Sequence, residues 1–253
     1  MVGTVMREAL AQYRRQFGPL VLAVLLIFLP EAAALLALQL AVPDSTRSQQ
    51  GLAVIDAVGS LLLFAPLASI VVIRAAIADE RSGAARVRDG VGPAFGLLVP
   101  YVLTQLLVLV VIAALPGALI VAAYVSGSPM LMTLGIGVLL GSALLNGVRL
   151  AVATVAVITD DARFGPALRR SAALTRGAWL RTFGVVIVLG LSALVVALAL
   201  NSIALALPSG TGQDVATSVL GLVANALTLP LVALGTYRLY RALEAQASAR
   251  RAA

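Results

Sequence analysis

The stretch PLVLAVLLIFLPEAAALLALQLAV, residues 19–42, carries a single ionisable side chain, Glu31. An α-helix rises 1.5 Å per residue, so about 20 largely apolar residues cross the hydrocarbon core of a bilayer. This stretch is long enough and apolar enough to cross. Five further stretches qualify, at about residues 52–73, 101–124, 131–158, 183–207 and 215–237. The expected fold is all-α: one polytopic transmembrane domain over residues 1–253, a bundle of six membrane-spanning helices.

Composition agrees with the spans. The chain is 61% hydrophobic and 11% charged over 253 residues, with a mean hydropathy of +1.04. Soluble domains carry about 25% charged residues, so too few charges exist here to cover a water-facing surface. Lys and Arg together number 18 against 11 acidic residues, and all 18 are Arg. Beside apolar spans, such an excess reads as topology signal and contact with anionic headgroups rather than with nucleic acid. Arg without Lys in an Ala-, Leu- and Val-rich chain resembles GC-rich bacterial coding. There is no Cys and no His, which excludes disulfides, Cys or His zinc sites, iron–sulfur clusters, and catalysis by a His base or a Cys nucleophile. No cleavable signal peptide is expected, because the first apolar run exceeds the length of an h-region.

Charge asymmetry orients the bundle. The connections after spans one, three and five contain one arginine, Arg47, while those on the other side contain sixteen, leaving Arg149 inside a span. The positive-inside rule then places both termini in the cytoplasm and the chain in the cell (inner or plasma) membrane.

The segments before the odd-numbered spans read as amphipathic interfacial helices. Val2, Met6, Leu10, Tyr13 and Phe17 recur at helical spacing, and Leu168, Ala172, Thr175 and Trp179 do so before span five, with Arg169 and Arg176 roughly opposite. Residues 89–100 form a shorter candidate. Asp160 and Asp161 are expected to cap the second of these helices. Each odd span opens with Phe-Gly (residues 17–18, 95–96 and 183–184), consistent with three copies of one unit or with coincidence at membrane interfaces.

Ionisable groups inside a bilayer cost several kcal/mol unless paired or hydrated. Glu31 follows Pro30 midway along span one, Arg149 lies in the inner half of span four, Asn225 near the middle of span six, and Asp56 one turn before Ser60 in span two. Gly135, Ser142, Asn146 and Arg149 share one stripe of span four. Glu31, Asn146, Arg149 and Asn225 therefore form a candidate intramembrane cluster. Two readings stay open: a structural ion pair joining spans one and four, and a polar cavity between spans one, four and six. Pro30, Pro66, Pro116 and Pro230 are expected to kink their helices, and Gly137 with Gly141 forms a small-xxx-small pair suited to close helix contact.

No catalytic constellation is expected. A phosphate-binding G-x-x-x-x-G-K-[ST] loop is missing. The acidic pairs at 79–80 and 160–161 lack the further carboxylates a membrane transferase uses to hold Mg²⁺. The chain is thus expected to be no enzyme and to need no metal or cofactor.

One segment has a likeness. GPALRRSAALTRGAWLRTFG, residues 165–184, resembles a recurrent stretch of the glycerophosphoryl diester phosphodiesterase membrane domain family, through Ala167, Leu168, Arg170, Ser171, Leu174, Thr175, Gly177, Trp179, Arg181, Phe183 and Gly184. YRRQFGPLVLAVLLIFLP, residues 13–30, is similar to that family's opening. The resemblance implies a stand-alone bacterial membrane domain of six spans. Some members carry a separate diesterase domain that uses His and a divalent metal; this chain has no His, so that activity does not transfer. On this segment Arg169, Arg170, Arg176 and Arg181 are candidate contacts for anionic lipid headgroups. The leading functional expectation is a non-enzymatic accessory or scaffold protein that binds lipid, a protein partner or a second copy; the alternative is a transporter or permease component.

Overall fold

A computed structural model describes residues 2–41, 46–82, 88–208 and 211–252. Arg86 and parts of two arginine-poor connections (43–45 and 209–210) lie outside the described residues.

The described residues are helical apart from short turns and contain no strand, and six of the helices are long and apolar enough to cross a membrane. In chain order, α1 (Val2–Arg15) precedes α2 (Phe17–Ala41), the first span. α3 (Thr46–Gly59) and α4 (Ala65–Ser82) together form the second, joined by a π-turn at Ser60–Phe64 in which the Ala65 N–H reaches back to the Ser60 carbonyl. The next residue is Pro66, which has no N–H to give; the wider turn accommodates that loss. α5 (Arg88–Ser126) is the third span. The fourth is made of α6 (Pro129–Ser142), a π-turn at Ala143–Gly147, α7 (Val148–Leu150) and α8 (Ala153–Asp160). α9 (Gly165–Thr175), α10 (Trp179–Leu205) and α11 (Thr211–Ala252) complete the chain.

The membrane-crossing helices match the apolar runs but overshoot them. α11 continues from its apolar part through Arg238 and Arg241 to Ala252, and α3 begins at Thr46 inside an expected loop. Residues 89–100 are no separate interfacial helix. They are the opening turns of α5, which carries both Pro93 and Pro100 without interruption. α1 and α9 are discrete elements, as expected.

Their buried faces share Tyr13 and Thr175 with the apolar stripes and otherwise lie beside them. In α1 the buried positions are Val5, Ala9, Gln12 and Tyr13, while Leu10 is exposed. In α9 they are Ala167, Ser171, Leu174 and Thr175. Small side chains let helices approach closely, and Ala9, Ala167 and Ser171 stand on these inward faces beside Val5, Tyr13 and Leu174. The same logic selects the glycines: a Cβ on Gly135 would stand 2.8 Å from Ile120 Cγ1, and one on Gly235 would stand 2.5 Å from Leu189 Cδ2. Gly137 and Gly141 meet nothing within 4 Å, so the expected close contact is made elsewhere.

Two compact units divide the chain. One, here the elbow unit, holds Val99–Val186 and Thr236–Ala253; the other, the cavity unit, holds Gly3–Leu98 and Ile187–Gly235.

Candidate functional site

In the cavity unit, α1 is tied down by polar contacts. Arg15 pairs with Asp79 at 3.6 Å, and Gln12 Nε2 donates to the same carboxylate at 3.5 Å. The Tyr13 hydroxyl donates to the Leu227 carbonyl at 2.9 Å, three residues before Pro230. Burial raises the Tyr13 pKa above its ordinary value, so the phenol stays a donor.

Beside these contacts lies a cavity of about 490 Å³. α2 lines it with Phe28, Glu31, Leu35 and Gln39, which recur at steps of three and four and so share a face. α3 contributes Leu52 and Asp56, α10 contributes Leu198 and Asn201, and α11 contributes Thr217, Ser218 and Asn225. Among the described residues the polar lining is two carboxylates, three amides and two hydroxyls, set among apolar walls. Ser218 Oγ donates to Gln39 Oε1 at 3.4 Å, tying α11 to α2. Glu31 is 8% exposed, and its Oε1 has no hydrogen-bond partner among the described residues. A Cβ on Gly59 would stand 3.2 Å from that oxygen, so the bare glycine opens room for the carboxylate.

The elbow unit treats its polar groups differently. The fourth span is interrupted at Ala151–Val152, where Val152 adopts φ −107° and ψ 9°. Near that break the carbonyl of Arg149 accepts bonds from Ser171 Oγ at 2.8 Å and Thr175 Oγ1 at 3.3 Å. Asn146 stands in the π-turn; its Nδ2 donates to Ser142 Oγ at 3.2 Å, which donates to the Ile112 carbonyl at 2.8 Å. Asp160 does not cap α9. It ends α8, receives the Tyr240 hydroxyl, and pairs with Arg170 at 3.1 Å. Arg170 also reaches Glu244 at 3.0 Å, and Arg241 reaches the other oxygen of Glu244 at 3.2 Å. The Tyr240 phenol, ahead of Asp160, holds the Arg170 pKa above its ordinary value. Asp161 takes the left-handed region (φ 50°) and pairs with Arg163 instead. α9 starts without a side-chain cap, because Phe164 occupies φ 54°; its N–H donates to Thr104 Oγ1 at 3.2 Å. At the other end of α9, Gly177 takes φ +76° and Arg250 Nη1 donates to the Arg176 carbonyl at 3.0 Å.

The candidate cluster is thus distributed. Glu31 and Asn225 line the one cavity; Asn146 and Arg149 belong to the elbow unit, where Asn146 braces a π-turn and Arg149 offers its carbonyl while its side chain is exposed. Of the candidate headgroup contacts, Arg169, Arg176 and Arg181 are exposed, whereas Arg170 is held in the carboxylate network. Gln39, Asp56, Asn201, Thr217 and Ser218 complete a lining that the expected cluster omitted.

Fold and lining together describe a multi-pass membrane protein of the helical class with a polar recess among its spans. Comparison with protein-family models, curated proteins and solved structures yields no significant match to this chain.

Proposed function

We propose that this protein is a non-enzymatic solute-binding membrane protein, a transporter or permease component. The observation that carries the reading is the cavity lined by Glu31, Asp56, Gln39, Asn201 and Asn225. Polar side chains in membrane segments mark pathways or binding sites when they face a cavity rather than one another. The positive-inside asymmetry adds a bacterial inner or plasma membrane with both termini in the cytoplasm, and residues 165–184 support a stand-alone member of the glycerophosphoryl diester phosphodiesterase membrane domain family.

The chain contains no Cys, so any introduced thiol is unique. Asn201→Cys and Asn225→Cys, tested with a charged, membrane-impermeant thiol reagent, are expected to label far faster than Leu109→Cys on an exposed apolar face. Equal, slow labelling at all three positions contradicts a water-reachable cavity. Ser128→Cys is expected to label in intact cells and Ser248→Cys only after permeabilisation; the reverse overturns the orientation.

A second reading, an accessory or scaffold protein that binds anionic lipid, draws on the exposed Arg169, Arg176 and Arg181. Native mass spectrometry of gently extracted protein tests it. A stoichiometric partner subunit favours this reading, and a lone chain holding a small solute favours the first.

A further inference from the structure

We infer that the cavity takes a small organic cation, its charged nitrogen set against Glu31 and its carbon body among Phe28, Leu35 and Leu198. This deepens the solute-binding reading and rests on it.

Glu31 is more than nine-tenths buried, lines the cavity, and leaves Oε1 without a hydrogen-bond partner among the described residues. A buried carboxylate with an oxygen left unpartnered among the described residues is costly, and a cation brought from outside is a group that satisfies it. Asp56 adds a second carboxylate to the same lining, and no arginine among the described residues belongs to it. The recess is therefore acidic in a chain whose net charge is +7. The remaining polar groups are neutral amides and hydroxyls, which orient a ligand without repelling a cation.

Size separates an organic cation from a metal ion. A water molecule's share of liquid volume is about 30 Å³, so a bare ion would leave most of a cavity of about 490 Å³ to solvent. No group of three or more His, Cys, Asp or Glu side chains placed to hold a metal occurs among the described residues. An apolar wall beside carboxylates matches a charged nitrogen on a hydrocarbon frame. Phe28, one turn before Glu31, supplies the aromatic part of that wall.

The test uses the full chain in nanodiscs of zwitterionic lipid, titrated with a fluorescent N-methyl styrylpyridinium monocation. Saturable binding is expected, displaced by tetraethylammonium chloride but not by sodium chloride at equal ionic strength. Glu31→Gln is expected to weaken binding at least tenfold, and Asp56→Asn about threefold. Leu198→Trp, which fills the recess without touching a carboxylate, is expected to abolish it. Equal binding of the uncharged, unmethylated dye, or an unchanged affinity in Glu31→Gln, overturns the cation and leaves the solute cavity standing. Absence of saturable binding by either dye also overturns the inference. Thiol labelling at Asn225→Cys then decides whether the solute-binding reading falls with it.

Discussion

The elbow and cavity units spend their polar side chains in opposite ways. In the elbow, Arg170 is shared between Asp160 and Glu244, Asn146 rests on Ser142, and the Arg149 carbonyl receives two hydroxyls. In the cavity unit, Glu31 is buried with an oxygen unbonded among the described residues, and it lines a space that Asp56, Asn201 and Asn225 also line. Polar groups that meet one another hold a fold; polar groups that meet an empty volume are positioned for something that enters it. Where a polar residue points therefore says more about its role than where it lies along a span.

Stability measurements on single variants can break this contrast. The largest effect is expected from Arg170→Met, which removes the cation shared by Asp160 and Glu244 and leaves them with Tyr240 and Arg241. Breaking a buried pair costs about 3–5 kcal/mol; with side-chain exposures of 31%, 28% and 29%, about 2 kcal/mol is expected after allowing for solvent screening, read from chemical unfolding in detergent. Next comes Gly235→Val in the cavity unit, where the new side chain meets Leu189. Overpacking of this kind costs about 1–3 kcal/mol, with the lower part of that range expected because the flexible end of Leu189 can shift. That loss would show that close apolar packing helps to hold this unit together. Ser171→Ala removes one bond to the Arg149 carbonyl and is expected to cost about 1 kcal/mol. Asp161→Ala is expected to change stability by less than about 0.5 kcal/mol, since its pair with Arg163 is exposed. A large loss there, or none for Arg170→Met, would erase the distinction between fold-holding and surface pairs.

Much of the architecture was legible in the sequence because lipid imposes a simple rule: about 20 apolar residues, internally hydrogen-bonded. The six runs appear as six helices for that reason. Two kinds of feature were less visible. The π-turns at Ser60–Phe64 and Ala143–Gly147 have no strong local signature, although Pro66 marks the first. The inward faces of α1 and α9 are the second kind, because an apolar stripe through Leu10 and Leu168 does not show that Ala9 and Ala167 are the buried positions.

The cavity was half visible. Glu31 and Asn225 stand out as polar residues in apolar runs, and the step from Glu31 to Leu35 to Gln39 is readable as one helical face. Which helices bring their polar faces to the same recess is a tertiary property. Asp56 and Asn201 were therefore left outside the cluster. Asp160 looked like a helix cap because two acids precede a Gly-Pro helix start; the left-handed turn at Asp161 instead sends Asp160 toward Arg170 and Tyr240.

The most direct test of the central claim is the unfolding free energy of Glu31→Gln against the unaltered protein, measured in detergent with no solute added. A carboxylate kept for a ligand adds nothing to the empty fold, so equal or greater stability is expected for the variant. A loss of more than about 1 kcal/mol, the scale of a net intramolecular hydrogen bond, would mean that Glu31 holds the bundle together, and the contrast between the two units would fail.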